Sequence, residues 1–222
     1  MPVSQRIVAV VFDMDGVLVD NKRFHREAWR RLAQEEGFAL TDPEFWRQAI
    51  GRPVEEAVPR VLGRAVPAAE AIRLARRKTA LYHELADGHA PPVPGVVEFV
   101  RSLATANVPR ALATSAVAES AARILAGLGL TAAFPVQVTA GHVQRGKPDP
   151  EVYLTAAARL GVAPAVCVVF EDAVVGVEAA RRAGMAVVGL TTAHPAAELR
   201  DAGATWTAPD FTGLAWAALA SP

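Results

Sequence analysis

The sequence has one cysteine, no excess charge of either sign and no long apolar run. Cys167 is the single cysteine among 222 residues, so an internal disulfide is excluded. The 23 Lys and Arg residues balance the 23 Asp and Glu residues. The chain therefore has no net positive charge that would attract nucleic acid. No segment approaches the roughly 18 apolar residues of a membrane span. We therefore expect neither a nucleic acid nor a membrane as a partner.

The N-terminal stretch MPVSQRIVAVVFDMDG lacks the pattern of a secretory signal. Its apolar run ends in acids rather than in a small-residue cleavage site, which favours a cytoplasmic location. Hydrophobic residues make up 52% of the chain, so a substantial core can form. The length suits one large domain or one domain with an insertion.

Short runs rich in Val, Ala and Ile predict buried strands, and Ala-, Arg- and Leu-rich segments between them predict helices. This alternation is typical of the α/β class, with a parallel sheet covered on both faces. The predicted strands are 7–13, 108–114, 135–139, 166–170, 186–190 and, more weakly, 204–208. The predicted helices are 94–106, 117–128, 150–160, 174–183 and 211–219.

Residues 21–91 contain no strong strand pattern. The stretch RFHREAWRRLAQEEGF has apolar residues at helical spacing, as does AAEAIRLARRKTALYHELADG. The segment closes at the proline-rich, hinge-like stretch HAPPVPG. We therefore predict a helical insertion directly after the first strand.

Polar side chains follow the predicted strands at the points where the strands end. They are Asp13, Asp15, Thr114, Ser115, Lys147, Glu171 and Asp172. Because ligands bind at the carboxyl ends of parallel strands, we expect these side chains to converge. Alone, such an aspartate is usually a turn residue or a helix cap, and such a lysine is usually a solvated charge. Their order at successive strand ends favours a shared function.

Four acids at an otherwise apolar sheet edge suit a hard cation such as Mg²⁺, which favours oxygen ligands. The lysine and the two hydroxyls suit a phosphoryl group. With a cation neutralising the carboxylates, one aspartate can attack phosphorus. A second aspartate two residues further on can protonate the leaving oxygen and later accept a proton from water.

The motifs VFDMDGVLVD, LATSA, GKPDPEVY and VFEDAVVGVEAARRAG resemble the four motifs of the haloacid dehalogenase superfamily. The resemblance covers nearly the whole chain. It implies a Rossmann-like parallel sheet core, residues 1–20 and 92–222, with an inserted α-helical cap domain, residues 21–91.

The resemblance also implies roles for the strand-end residues. Asp13 corresponds to the nucleophile that forms an aspartyl-phosphate, and Asp15 to the general acid–base, which offers its carbonyl to the metal. The implied phosphate binders are Thr114, Ser115 and Lys147. The implied Mg²⁺ ligands are Asp13, Asp15, Glu171 and Asp172. Members that displace halide lack the second aspartate, so Asp15 favours phosphoryl transfer over dehalogenation.

The cap segment resembles that of β-phosphoglucomutases. His25 falls where they carry a histidine that engages the general acid, and Lys78 matches a lysine that contacts substrate. In those mutases a phosphate-anchoring arginine occupies the position of Val54, for which Arg52 is the nearest substitute. This difference favours a phosphatase acting on a small phosphorylated metabolite, such as a sugar phosphate, over a phosphomutase.

Other readings of the chain stay open at this point. His25 can also be a helix-surface histidine or a satisfied partner of a nearby carboxylate, and Lys78 can be a solvated lysine of a helix face. A receiver domain also combines acids, a hydroxyl and a lysine, but it is roughly 120 residues long and lacks a cap. A non-catalytic binding protein on the same scaffold is a further alternative. We expect a monomer or a weak homo-oligomer.

Overall fold

The computed structural model describes residues 6–40, 45–86 and 90–220. The strands are β1 (Ala9–Phe12), β2 (Arg110–Ala113), β3 (Val136–Val138), β4 (Cys167–Glu171), β5 (Ala186–Leu190) and β6 (Trp206–Ala208). Within these ranges they form one parallel sheet of six strands in the order β3-β2-β1-β4-β5-β6. The predicted α/β fold with a Rossmann-like parallel sheet is confirmed.

The outer residues of several predicted strands lie outside the ladders. β1 ends at Phe12, and the N–H of Asp13 makes one further bond, to the carbonyl of Phe170 at 3.0 Å. Before β2, Pro109 accepts a bond from Val10 but has no N–H of its own to donate. Asp13 therefore begins the loop after β1, with its backbone still attached to β4.

The segment between β1 and β2 begins with three helices, as the spacing of apolar residues predicts. These are α1 (Lys22–Glu36), α2 (Val54–Leu62) and α3 (Ala68–Ala86), with a short 3₁₀ helix at Phe45–Gln48. Their apolar faces form a hydrophobic cluster of their own around Trp29, Leu74 and Leu81. Among the described residues, no helix is long and apolar enough to cross a membrane.

The two connections between this helical segment and the sheet region run side by side. The Asp20 N–H donates to the Pro91 carbonyl at 2.8 Å, and Val19 pairs with Pro92. These contacts lie at the predicted domain boundaries, 20/21 and 91/92. Residue 89, at the start of the predicted hinge, lies outside the described residues. The division into two domains stays a prediction.

The remaining helices are α4 (Val96–Thr105), α5 (Ala118–Gly127), α6 (Glu151–Leu160), α7 (Val174–Arg182), α8 (Ala196–Asp201) and α9 (Trp216–Ala220). The prediction missed the six-residue α8, which is too short for a clear apolar period. It also began the last helix too early. The Phe211 N–H instead donates to the Pro94 carbonyl at 3.0 Å, which ties this residue to the turn before α4.

Side chains of the central strands alternate between two cores. In β1, Val10 and Phe12 belong to the cluster on one face of the sheet, whereas Ala9 and Val11 belong to the cluster on the other. Aromatic rings fill the first core. Phe12 stacks on Phe170 with ring centroids 5.2 Å apart, and Phe211 lies 4.8 Å from Phe170. The residue before Asp13 and the residue before Glu171 are thus held together.

Phe211→Ala should lower the free energy of unfolding by about 3–5 kcal/mol, because it removes a buried ring and leaves a cavity against Phe12 and Phe170. Leu154→Ala is the control, since Leu154 is 40% exposed and its loss should cost less than about 1 kcal/mol. Urea unfolding followed by circular dichroism measures both. Equal losses in the two variants would contradict the importance of the aromatic core.

Candidate active site

The sheet order brings the strand-end acids together because β2, β1 and β4 are neighbours. Asp13 follows β1, Thr114 follows β2, and Glu171 and Asp172 lie at the end of β4. Oxygen atoms of Asp13, Glu171 and Asp172 lie within 4.8 Å of one another. All three acids are buried, with exposures of 5%, 0% and 4%. Residues separated by more than 150 positions therefore form one acidic cluster.

Lys147 supplies the positive charge inside this cluster. Its side chain is 1% exposed, and Nζ donates to Asp13 Oδ1 and to Glu171 Oε1, both at 2.7 Å. Burial alone would lower the pKa of the ammonium, but the two carboxylates outweigh burial and raise it above the ordinary value. Lys147 therefore stays charged, and it holds the Asp13 carboxylate from one side.

The carboxylate of Glu171 accepts hydrogen bonds on both of its oxygens. Oε1 also accepts a bond from the Tyr153 hydroxyl at 2.8 Å, and Oε2 accepts from the backbone N–H groups of Asp172 and Ala173, each at 2.8 Å. A carboxylate has about four acceptor sites, so these bonds occupy all of them. Gly176 allows this approach, because a Cβ there would lie 1.7 Å from Oε1. The predicted role of Glu171 as a metal ligand stays a prediction, since a cation would have to displace one of these donors.

The cluster has the composition of a divalent-cation site. Three acids face one lysine, so negative charge is left uncompensated among the described residues. Burial raises the pKa of Asp13 to about 7, helped by Glu171 and Asp15 and opposed by Lys147. Burial, Glu171 and Asp13 likewise raise the pKa of Asp172. Carboxylate oxygens at this spacing suit a hard cation, which would relieve the repulsion.

The two hydroxyl residues after β2 differ in their environment. Thr114 is buried, and its Oγ1 accepts a bond from the Ala116 N–H at 3.1 Å, which leaves the hydroxyl proton available. Ser115 Oγ donates to the carbonyl of Gly51 at 2.9 Å. Gly51 belongs to the helical segment before α2, so Ser115 links the phosphate-binding loop predicted from the sequence to that segment. Its predicted phosphate-binding role stays a prediction.

Asp15 lies at the side of the site that faces the helical segment. Its Oδ1 accepts a bond from Asn21 Nδ2 at 2.5 Å, and Asn21 Nδ2 also donates to the Tyr82 hydroxyl at 2.7 Å. His25 Nε2 lies 3.6 Å from the same carboxylate oxygen. Burial would raise the pKa of Asp15, but His25, Asn21 and Lys78 outweigh it and lower the pKa.

His25 and Lys78 are in direct contact, which the sequence pattern did not reveal. Lys78 Nζ lies 2.5 Å from His25 Nδ1, and the His25 ring stacks on Tyr82 at 4.1 Å between centroids. An ammonium only donates, so Nδ1 accepts and the neutral ring carries its proton on Nε2, towards Asp15. Burial and Lys78 lower the pKa of His25, which favours the neutral form. Burial lowers the pKa of Lys78 to about 8.

A cavity of about 490 Å³ separates the strand ends from the helical segment. Asp13, Asp15 and Thr114 line one side of it, and Lys78 and Arg52 line the other. Arg52 is half-buried, and its guanidinium makes no hydrogen bond or ion pair with the described residues. Burial lowers the pKa of its guanidinium. An unpaired guanidinium at a cavity wall is available to an anionic or hydroxyl-bearing ligand.

Three residues in this network were not predicted as functional: Asn21, Tyr82 and Tyr153. Tyr153 lies within the motif GKPDPEVY, but nothing in that motif indicates that its hydroxyl reaches Glu171. Asn21 and Tyr82 are 61 positions apart, and only the packing of α1 against α3 brings them together. A tyrosine facing inward at helical spacing is otherwise an ordinary core residue.

Comparison with known proteins agrees with this geometry. The sequence pattern of the haloacid dehalogenase-like hydrolases matches residues 7–184. The chain belongs to the haloacid dehalogenase-like hydrolases. Within that family it is an enzyme of the phosphoric monoester hydrolase class, as its sequence relatives indicate. The motif resemblance is therefore confirmed.

Two curated relatives and one solved structure illustrate the relationship. The chain is 38% identical over 207 residues to validoxylamine A 7'-phosphate phosphatase of Streptomyces hygroscopicus subsp. limoneus, covering 93% of this chain and 95% of that protein. It is 39% identical over 182 residues to a phosphorylated carbohydrates phosphatase of Thermotoga maritima. This match covers 80% of this chain and 82% of that protein. The crystal structure of a β-phosphoglucomutase from Clostridium difficile is similar, with a TM-score of 0.83 and 28% sequence identity. The match covers 96% of this chain and 95% of that one.

The raised pKa of Asp13 predicts how metal-free protein responds to pH. The folded state keeps a proton that the unfolded chain releases above the ordinary pKa of 3.8. The stabilisation from this group is therefore complete at low pH and is lost as pH rises through about 7. In EDTA, the melting temperature should fall by about 5 °C between about pH 5 and pH 7.5. Differential scanning calorimetry at a series of pH values measures this change in melting temperature.

Asp13→Asn is the control for this measurement, because it removes the titrating carboxyl and keeps a similar shape. Its melting temperature should depend less steeply on pH over the same interval. Parallel pH curves for the wild type and the variant would show that Asp13 does not cause the effect.

Proposed function

We propose that this enzyme is a Mg²⁺-dependent phosphatase that hydrolyses a small phosphorylated metabolite, with a sugar phosphate as the expected substrate class. The observation that carries the proposal is the pair of differently held aspartates at one cavity. Asp13 is buried and fixed by Lys147, whereas Asp15 is half-exposed and held by Asn21 beside His25. One carboxylate is thus suited to attack and the other to proton transfer.

In the first step, an Asp13 oxygen attacks the phosphorus atom of the substrate. Lys147 binds Oδ1, and Oδ2 makes no hydrogen bond to the described residues, so Oδ2 is the expected nucleophile. A bond forms between Oδ2 and phosphorus, and the bond from phosphorus to the sugar oxygen breaks. Thr114, with its free hydroxyl proton, is expected to bind a phosphoryl oxygen. The product of this step is an aspartyl-phosphate and an alcohol.

The pKa of Asp15 is lowered in the protein without substrate, but an anionic phosphoryl group beside it would raise that pKa. Asp15 can then carry the proton that the leaving oxygen needs. In the second step it takes a proton from water while that water attacks phosphorus and the bond to Asp13 breaks. His25 presents an N–H towards Asp15, and Lys78 fixes that tautomer from the opposite side of the ring. We therefore propose that His25 orients Asp15 and that Lys78 acts on it through His25, in addition to a contact with substrate.

Asp13 and Asp172 are the residues expected to hold Mg²⁺, with the Asp15 carbonyl as a further ligand and Glu171 as a neighbouring acid. When bound, the cation would neutralise these carboxylates and allow an anionic phosphoryl group to approach them. With its charge neutralised in this way, Asp13 would lose its proton at neutral pH and could act as a nucleophile.

The names of the relatives support the substrate class. Two of them are phosphatases of a phosphorylated carbohydrate or of validoxylamine A 7'-phosphate. The cavity of about 490 Å³ between the strand ends and the helical segment also suits a small ligand. Arg52 and Lys78 are the cap residues that we expect to meet the sugar portion. A cytoplasmic location and a monomeric or weakly associated state stay predictions.

A phosphomutase is the second candidate, and it is supported by the similarity to the β-phosphoglucomutase structure and by the His25–Lys78 pair. A mutase has to retain a bisphosphate, which requires an anion site at each end of the cavity. Val54 lines the cavity where the resemblance leads us to expect an arginine, and Arg52 is the nearest cation in that turn. We therefore favour transfer of the phosphoryl group to water.

Asp13→Asn should lower phosphate release by more than about 10³-fold, because it removes the attacking charge. Asp201→Asn is the matched control, since Asp201 is exposed at the end of α8 and lies outside the cavity. Release of inorganic phosphate from a panel of sugar phosphates, with Mg²⁺ and with EDTA, gives the rates. More than a tenth of wild-type activity in Asp13→Asn would exclude the covalent mechanism.

The choice between phosphatase and mutase is tested by the fate of one substrate. With β-glucose 1-phosphate and a trace of β-glucose 1,6-bisphosphate, we expect inorganic phosphate to exceed glucose 6-phosphate. Both products are followed in the same reaction. Rapid formation of glucose 6-phosphate with almost no phosphate release would establish the mutase instead.

A further inference from the structure

The loop after β5 reaches across the sheet edge to the acidic cluster. Thr192 Oγ1 lies 2.6 Å from the carbonyl oxygen of Gly16 and 3.2 Å from Asp172 Oδ2. A hydroxyl has one proton, so these two acceptors share it, with the carbonyl nearer. Thr192 therefore connects the turn after Asp13 and Asp15 to the carboxyl group that follows β4.

Thr192 is the hydrogen-bond partner of the Asp172 carboxyl group. Among residues 6–40, 45–86 and 90–220, its hydroxyl is the only group that hydrogen-bonds to the Asp172 side chain. Glu171, one position earlier, is by contrast held by four donors. The orientation of Asp172 thus depends on a single contact, whereas its neighbour is fixed by several.

The same loop also holds the backbone of Asp172. The ring of His194 is buried, and Nδ1 lies 3.0 Å from the Asp172 carbonyl oxygen, which can only accept. His194 therefore donates from Nδ1 to this carbonyl. Thr192 and His194 contact the side chain and the main chain of one acid from positions two residues apart.

Lys22 attaches this loop to the helical segment. Its Nζ donates to the Thr192 carbonyl oxygen at 2.9 Å, and the ammonium lies 4.9 Å from the centre of the Trp46 ring. Lys22 is the first residue of α1, and Trp46 belongs to the 3₁₀ helix before α2. A chain of contacts thus runs from the helical segment through Lys22 and Thr192 to Asp172.

The turn after β1 is shaped to accept this arrangement. Gly16 has a φ of +76°, and a Cβ at this position would lie 1.8 Å from Asp172 Oδ2. The Asp172 carboxyl therefore packs directly on the Gly16 backbone, and Thr192 spans both. A small displacement of the loop would move the carboxyl relative to Asp13.

We propose that Thr192 and Lys22 are positioning residues that hold Asp172 in the orientation required for the divalent cation. The proposal rests on the proposed Mg²⁺ site. Groups that orient metal ligands contribute about 10- to 100-fold to metal affinity. Thr192 acts on the carboxyl itself, and Lys22 acts through the Thr192 backbone, so the effect of Lys22 should be smaller.

The test measures Mg²⁺ affinity of the EDTA-treated full-length protein by isothermal titration calorimetry. Thr192→Val should weaken Mg²⁺ binding by about 10-fold or more, because it keeps the shape but removes the hydroxyl. Thr192→Ser should bind nearly as well as the wild type. Thr191→Val is the matched control, since the Thr191 side chain makes no hydrogen bond with the described residues. Lys22→Met should weaken binding by about 3-fold while it keeps the packing on Trp46.

If the wild-type protein does not bind Mg²⁺, both the proposed metal site and the positioning role are wrong. Wild-type binding with unchanged affinity in Thr192→Val, or with an equal loss in Thr192→Ser, would overturn the positioning role alone. Melting temperatures in EDTA show whether each variant is folded. If Thr192→Val is unfolded, the Mg²⁺ affinity of Lys22→Met tests the proposal instead. A Mg²⁺ affinity equal to that of the wild type would overturn it.

Discussion

The Lys147 ammonium, enclosed between the carboxylates of Asp13 and Glu171, is the interaction on which the site depends. A charge buried to this degree is stable only when it is paired and hydrogen-bonded. The sheet satisfies this requirement because β1 and β4 are adjacent, and α6 adds the Tyr153 hydroxyl to the same network. The aromatic core beneath Asp13 and Glu171 fixes the spacing of the two strands. Replacing any member would leave a charge without its partner.

The two sides of the cavity contribute different chemistry. The strand ends hold a rigid group of residues around Asp13, in which three acids face one lysine. The helical segment contributes Asn21, His25, Lys78 and Tyr82, which together set the hydrogen bonding and the pKa of Asp15. In the proposed mechanism, proton transfer by Asp15 is thereby controlled from a different part of the chain than the nucleophile Asp13.

Local sequence patterns predicted the sheet and the strand-end acids because each depends on a short segment. The run before Asp13 is apolar on both faces, and an acid directly after such a run is visible in the sequence. The contact between Lys78 and His25 was not visible, since it depends on how α1 packs against α3 over 53 positions. The bond from Ser115 to Gly51 was missed for the same reason. Helix α8 was missed because six residues carry too little periodicity.

The paired connections at Asp20 and Pro91 bear on how such a protein can change over evolutionary time. Because the helical segment leaves and rejoins the sheet at adjacent, hydrogen-bonded points, its length adds little to the entropy of closing that loop. It also has an apolar cluster of its own. Substitutions in this segment away from the residues that contact Asp15 and Thr192 can therefore change the wall of the cavity, while the strand register and the acids remain as they are. The wall of the cavity and the strand-end acids can in this sense change separately.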